Sequence, residues 1–356
     1  MLRSKKSAIE VQFNWIFVLI VGGVLLFFVF SVIRSQTETA QYEIDVTIRN
    51  YFDTILQRAT QARGSLIDLH LRGSTLTSSD SCVDTFYINE NRNLRIELSS
   101  AFSPKEMGSV SGTFFVWVVP WDLPFRIKNF VYITSPDIVY LLVYEDNDTE
   151  DYAVEINYSR NRLSLPRDDK ITKIVLHNGS LQGELQKLNH LTTRVVFFKT
   201  NCNGVPMPNN ANTAICLEID SDKGGLDGWG KVKYLEPDNL NKETYFLGRP
   251  SLIGAIISED ITQFDCSMQK AYIKAEQLFN IYKERSSNLT ISDPTPNCNN
   301  IHARAENRLE DMINCINNND NYETIEECLY DATFSGAGSL SGINQESKLR
   351  SCVYVY

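Results

Sequence analysis

The longest apolar run lies near the start of the chain. Residues Phe13 to Ile33, FNWIFVLIVGGVLLFFVFSVI, carry polar side chains only at Asn14 and Ser31. A helix rising about 1.5 Å per residue covers about 30 Å over that length, which matches a hydrocarbon core. The pattern therefore predicts a transmembrane helix over Phe13–Ile33, with Trp15 at interfacial depth. A buried core helix is the alternative, but such helices seldom run this long without a charge.

Beyond the apolar run, Ile44, Ile48, Tyr51, Phe52, Ile55, Ala59 and Ala62 recur at helical spacing. This predicts a helical stalk over residues 34–72, continuous with the membrane helix because no proline interrupts it. Tyr42, Ile44, Val46 and Ile48 also alternate as a strand would, which leaves the first turns open. The apolar stripe needs a partner. The domain's own sheet is preferred over a second copy, since the stripe is not a clean heptad.

Residues 73–260 are rich in β signals. Expected strands are Asp84–Ile88, Leu94–Leu98, Thr113–Val119, Phe130–Thr134, Ile138–Tyr144, Tyr152–Tyr158, Ile171–Leu176, Arg194–Thr200, Ala214–Ile219, Lys231–Leu235 and Leu252–Ser258. Ser135-Pro136-Asp137 reads as a tight turn joining two of them in a hairpin. A short helix is expected at Leu181–Leu188. From residue 261 the period changes to that of helices: Ile261–Arg285 has Ala271, Ala275, Leu278, Phe279 and Tyr282 on one side. Shorter helices follow near His302–Ile316 and Tyr322–Asp331, and Gly336–Gly342 reads as a flexible loop. A sheet-rich body (73–260) with helices gathered in a disulfide-linked C-terminal region (261–356) is an α+β arrangement.

Charge sets the orientation. Residues 1–12 form a basic leader, with Arg3, Lys5 and Lys6 ahead of the apolar run. After Arg34 the next charges are Glu38, Glu43 and Asp45. The positive-inside bias puts the N-terminus in the cytoplasm and the C-terminal domain outside. The length of the run, and the lack of a small-x-small site at Arg34-Ser35-Gln36-Thr37, read as an uncleaved signal anchor in the cell membrane. Net charge is -10; the first 34 residues sum to +3, which leaves -13 on the rest. So acidic a domain lacks the Lys/Arg clustering that attracts phosphates, which argues against nucleic acid as a partner.

All eight cysteines, Cys82, Cys202, Cys216, Cys266, Cys298, Cys315, Cys328 and Cys352, lie beyond the membrane run. An even number in an exported domain predicts disulfides. No pair has the C-x₂₋₄-C spacing of a zinc site. Cys202 and Cys216 flank a Pro/Asn-rich loop and are placed to staple its base, and Cys352 is placed to pin the C-terminus. Eight cysteines allow about 105 pairings, so connectivity stays open. Sequons at Asn147, Asn157, Asn178 and Asn288 are compatible with glycosylation.

The chain contains no G-x-S-x-G, Walker A, G-x-G-x-x-G or H-E-x-x-H, and its four histidines, His70, His177, His190 and His302, lie beside no cysteine in ligand spacing. No cofactor or catalytic residue is therefore assigned. Asp220, Asp222 and Asp227, in DSDKGGLDG, are the candidates for a calcium loop. Lys223 intrudes and the EF-hand's twelfth-place glutamate is missing, so a Gly-rich turn is the plainer reading. Trp117, Trp121 and Trp229 read as core before they read as a recognition patch.

Lys5-Lys6-Ser7-Ala8-Ile9-Glu10, followed by the apolar run, resembles the class III signal of archaeal type IV pilin-like single-pass proteins. The resemblance covers about 33 residues. It implies a leader cleavage point, a glutamate near the mature start and a membrane helix that packs in assemblies. A cut after Lys5 would place Glu10 fifth, as pilins require; Lys before the cut departs from the pattern.

The sequence thus predicts a membrane-anchored envelope protein whose outer domain binds a partner or joins a surface assembly, without enzymatic activity. Expected partners are the lipid bilayer and an unidentified protein or surface, with a homo-oligomer also open. A pilin-like filament subunit and an ectoenzyme with an unrecognised site are the alternatives.

Overall fold

The computed structural model describes residues 15–36, 46, 47, 50, 54, 66–70, 75–78, 85–88, 91–97, 100–108, 113–158, 172–176, 181–188, 192–237, 241–293, 295, 297–318 and 321–356. The chain divides into two units, residues 1–52 and 53–356.

The first unit contains helix α1, Trp15–Gln36, which is long and apolar enough to cross a membrane and has no buried part. Its Leu, Ile, Val and Phe side chains are exposed. Phe13 and Asn14 lie outside the described residues.

In the second unit the described residues form three sheets. A four-stranded sheet has the order β1-β7-β8-β5, with β1 (Leu66–His70) antiparallel to β7 (Thr113–Asp122), β7 antiparallel to β8 (Arg126–Thr134), and β5 (Ala101–Phe102) parallel to β8. A second four-stranded antiparallel sheet has the order β4-β3-β2-β6, from β2 (Thr75–Ser78), β3 (Thr85–Ile88), β4 (Asn91–Glu97) and β6 (Glu106–Gly108). The central sheet has six strands in the order β10-β9-β11-β12-β13-β14. Strands β9 (Ile138–Tyr144), β10 (Thr172–Leu176), β11 (Thr192–Lys199) and β12 (Thr213–Glu218) run parallel, and β13 (Trp229–Leu235) and β14 (Lys242–Leu247) close one edge antiparallel. The α+β expectation holds, with mixed sheets.

The central sheet is covered on both faces. On one, Val139, Leu141, Val143, Val195 and Phe197 pack against Leu185 and Leu188 of the α3 segment (helix Leu181–Lys187) and against the loop that Cys202–Cys216 closes. Across the other lies α4 (Gly248–Ile257), where Tyr234 donates to the Ala255 carbonyl and Arg194 to the carbonyls of Ile257 and Ser258. Helix α4 also meets the first sheet: Tyr132 donates to the Pro250 carbonyl, and a Cβ on Gly254 would come within 2.8 Å of the Phe102 ring. Around Phe102 the rings of Phe130, Tyr132 and Phe264 gather, the last from α5 (Ile261–Ser292). Trp117 and Trp121 are buried in this core, as is Trp229 at the start of β13.

Several expectations need correction. The stalk was expected to stay helical to residue 72. Val46, Thr47, Asn50 and Thr54 are helical, but Leu66–His70 is a strand: the open edge of β7 needs backbone partners, and an extended segment supplies them. The expected hairpin at Ser135-Pro136-Asp137 is a crossing between sheets. Strand β8 already has β7 and β5 on its two sides, so β9 pairs with β10 and β11 instead. Tyr152–Tyr158, expected as a strand, belongs to α2 (Asn147–Tyr158). Asp146 caps it, its Oδ1 accepting the N–H of Thr149, while the Thr149 hydroxyl accepts the N–H of Glu145 and Asp146 in return. Leu252–Ser258, also expected as a strand, forms most of α4: the run is buried all round, so it shows no helical stripe. The expected loop Gly336–Gly342 contains the start of α8 (Leu340–Leu349), capped by Ser339. The remaining helices are α6 (Cys298–Asn317) and α7 (Tyr322–Phe334).

Candidate functional site

At the carboxyl ends of parallel strands the backbone turns outward into loops and helix starts, so side chains from separate segments converge there. In the central sheet the chain leaves β9 toward β10 but leaves β11 toward β12. That reversal is where open α/β sheets form ligand crevices. A cleft of about 430 Å³ opens beside it. Thr149 and Tyr152 line it from α2, Thr200 from just after β11, and Glu218, Asp220, Ser221 and Lys223 from the end of β12 and the turn that follows it. Trp229 and Lys231 come from β13, Tyr245 from β14 and Glu323 from α7.

The Gly-rich turn forms one wall by folding tightly. Two single 3₁₀ turns, Ser221–Lys223 and Gly225–Asp227, meet at Gly224, whose φ of 89° favours glycine. A Cβ at Gly224 would also lie 2.5 Å from the Tyr330 hydroxyl of α7. The tight turn carries Lys223 across the Trp229 ring, 4.0 Å from its centroid. Lys231 sits 3.3 Å from Glu243, and Glu218 accepts the Cys202 N–H at 2.7 Å. Burial, then a hydrogen bond with Glu323, pushes the Tyr245 phenol up to about 12, so it stays a hydroxyl. Lys231 is raised: burial opposes this, but Tyr245, Glu243 and Glu218 outweigh it. The cleft offers three carboxylates, two ammonium groups and several hydroxyls, suited to holding a polar molecule by hydrogen bonds. Neither histidine nor cysteine is among the lining residues.

The calcium candidates are used otherwise. Asp220 accepts the Asp222 N–H, and Asp227 accepts two hydrogen bonds from Arg249, which also pairs with Glu155. Among the described residues, Asp220, Asp222 and Asp227 do not form a group with ligand-like spacing. Among the described residues the cluster with ligand-like spacing is Asp293, Cys298 and Cys352, but both sulfurs are in one disulfide and cannot serve as thiolate ligands. Three disulfides, Cys202–Cys216, Cys298–Cys352 and Cys315–Cys328, are resolved, and Cys266 is disulfide-bonded too. Cys82 lies outside the described residues. The Cys202–Cys216 staple and the pinning of the C-terminus by Cys352 match the sequence reading. Of the sequons, Asn147 opens α2, Asn157 sits near its end and Asn288 is exposed on α5; Asn178 lies outside the described residues.

His302 is the histidine whose surroundings are fully defined. It lies 2.7 Å from Asp293 with both side chains wholly buried. Asp293 also accepts the N–H groups of Thr295 and Val353. The His302 hydrogen bond, then the two amides, hold this carboxyl well below the usual range. It ties the C-terminal segment to α6 and lines none of the cavities described here.

At the opposite edge two adjoining cavities, about 330 and 580 Å³, share Lys105, Asn212, Thr213 and Glu259. Lys105 pairs with Asp260 at 2.8 Å, so charge there is internally balanced. No protein-family model, curated protein sequence or solved structure matches this chain.

Proposed function

We propose that this is a single-pass protein of the cell membrane, N-terminus in the cytoplasm, whose extracytoplasmic domain binds a polar partner in the carboxyl-edge cleft. The cleft carries the reading: residues from six separate segments converge where the chain reverses direction across a parallel sheet. The apolar helix α1 and the basic residues before it support the anchor and its orientation. The disulfides support an oxidising compartment. Binding is favoured over catalysis because the cleft's acids and bases engage one another, as in Tyr245 with Glu323 and Lys231 with Glu243.

A photoreactive amino acid placed at Lys231 or Glu323 in whole cells should capture an adduct that the same group at exposed Ile273 does not. Equal capture at all three sites, or none in the cleft, would refute the cleft as the binding site. Protease added to intact cells should remove the domain beyond the anchor; protection until lysis would reverse the orientation.

A further inference from the structure

Helix α7 carries two acids with opposite surroundings. Glu323, in its first turn, lines the cleft and bonds Tyr245. Glu326, one turn on, is fully buried. The Tyr272 hydroxyl of α5 donates to one of its oxygens, and the other oxygen has no hydrogen-bond partner. A carboxylate placed so would be a desolvated charge, and burial raises its affinity for a proton well above the ordinary glutamate value.

Among the described residues no cation offsets this. The groups acting on Glu326 are Tyr272 and Asp265, both from α5, and Tyr322 of α7 lies in the same cluster. Asp265 accepts from Thr244 of β14 at 2.6 Å, and its own negative charge disfavours a second one nearby. On β13 and β14, Lys231 and Lys233 are both held by Glu243. Neither they nor any charged group of α6 or α8 is among those acting on Glu326. Cys315–Cys328 ties the middle of α7 to α6, two residues beyond Glu326. The first turn of α7, which carries Glu323, lies ahead of that tie.

We propose that α7 is a pH-responsive wall of the cleft: protonated Glu326 seats its first turns on α5 and β14, and ionisation of Glu326 loosens that seat and opens the cleft at Glu323. Control of a ligand rests on the binding reading above, whereas the movement of α7 does not. A raised carboxyl stabilises the seat below the unfolded value of 4.5, and the contribution fades as pH rises toward the folded value. Acid therefore closes and alkali opens.

The test is hydrogen exchange on the full chain in detergent micelles from pH 4 to 9, corrected for the intrinsic pH dependence of exchange. Peptides over 322–334 should lose protection by up to about tenfold per pH unit once Glu326 is forced to ionise. Peptides from α3 should hold theirs. Glu326→Gln, which keeps the shape without the titration, should leave α7 equally protected throughout. Constant protection in the wild type, or the same loss in Glu326→Gln, overturns the proposal. Should that variant not fold, infrared spectroscopy of the wild type decides. A protonated-carboxyl band must be present at neutral pH and vanish over the range in which α7 is released; release without such a change overturns it. Failure of cross-linking in the cleft would leave this result standing, so the two readings fail separately.

Discussion

Arg249 grips Asp227 with two hydrogen bonds, Nε to Oδ1 at 3.0 Å and Nη2 to Oδ2 at 2.9 Å. The guanidinium is almost entirely buried while Asp227 is largely exposed. The pair therefore anchors the end of the Gly-rich turn to the first turn of α4, behind the cleft wall. Asp227→Ala should cost about 1–2 kcal/mol, below the value for a fully buried pair because one partner is solvated and Glu155 still holds the arginine. Urea denaturation measures this. With Asp227 so committed, calcium or chelator should leave the melting temperature unchanged; a clear rise with calcium would restore the metal reading.

The Asp293–His302 contact makes an acid-sensitive tie. A carboxyl held low in the fold stabilises it above the unfolded value of 3.8, and that stability is lost as pH falls. Asp293→Asn should move the acid-unfolding midpoint, followed by circular dichroism, to higher pH. An unchanged midpoint would mean that the contact contributes nothing.

Asp265 has the opposite sign. Burial raises it to about 6, partly offset by the Thr244 hydrogen bond. Its contribution is fully present below 3.8 and fades as pH rises through about 6. Asp265→Asn should therefore stabilise the protein by about 1–2 kcal/mol at pH 8, allowing for partial solvation, and do little at pH 4. Chemical denaturation at the two pH values checks this; a stabilisation equal at both would exclude titration as its cause.

The resolved disulfides should differ in weight. Cys298–Cys352 spans 54 residues and Cys315–Cys328 spans 13. Loop-closure entropy assigns about 4 kcal/mol to the first and about 3 to the second. Paired serine variants, compared by denaturant midpoint, should fall in that order. Peptide mapping without reductant should recover these two links and Cys202–Cys216.

Much of the fold is legible in the sequence where local pattern and tertiary environment agree. Ile138–Tyr144 is a strand with the expected bounds, and the helices from Ile261 onward show their stripe because one face is solvated. The misses have separate causes. In α4, Leu252–Ile257 is surrounded on all sides, which erases the 3.6-residue period. In α2, expected as a strand over Tyr152–Tyr158, the start of the helix is set by the Asp146 cap.

The candidate site was partly visible. The run Asp220–Gly228 stood out for its glycines and acids, and it does build a wall of the cleft. The preferred reading as a Gly-rich turn agrees with its two tight turns, whereas the engagement of Asp227 could not be read locally because Arg249 lies 22 residues on.

By itself the sequence determined the apolar helix, the placement of all eight cysteines beyond it and the α+β character, because each rests on composition or short-range period. Only the tertiary structure decided that β9 leaves β8 for another sheet, that the strand ends meet at a cleft, and that Glu326 is buried beside Tyr272. Those depend on which segments neighbour one another in space, and pairing across tens of residues is set by the packing of the whole domain rather than by any local pattern.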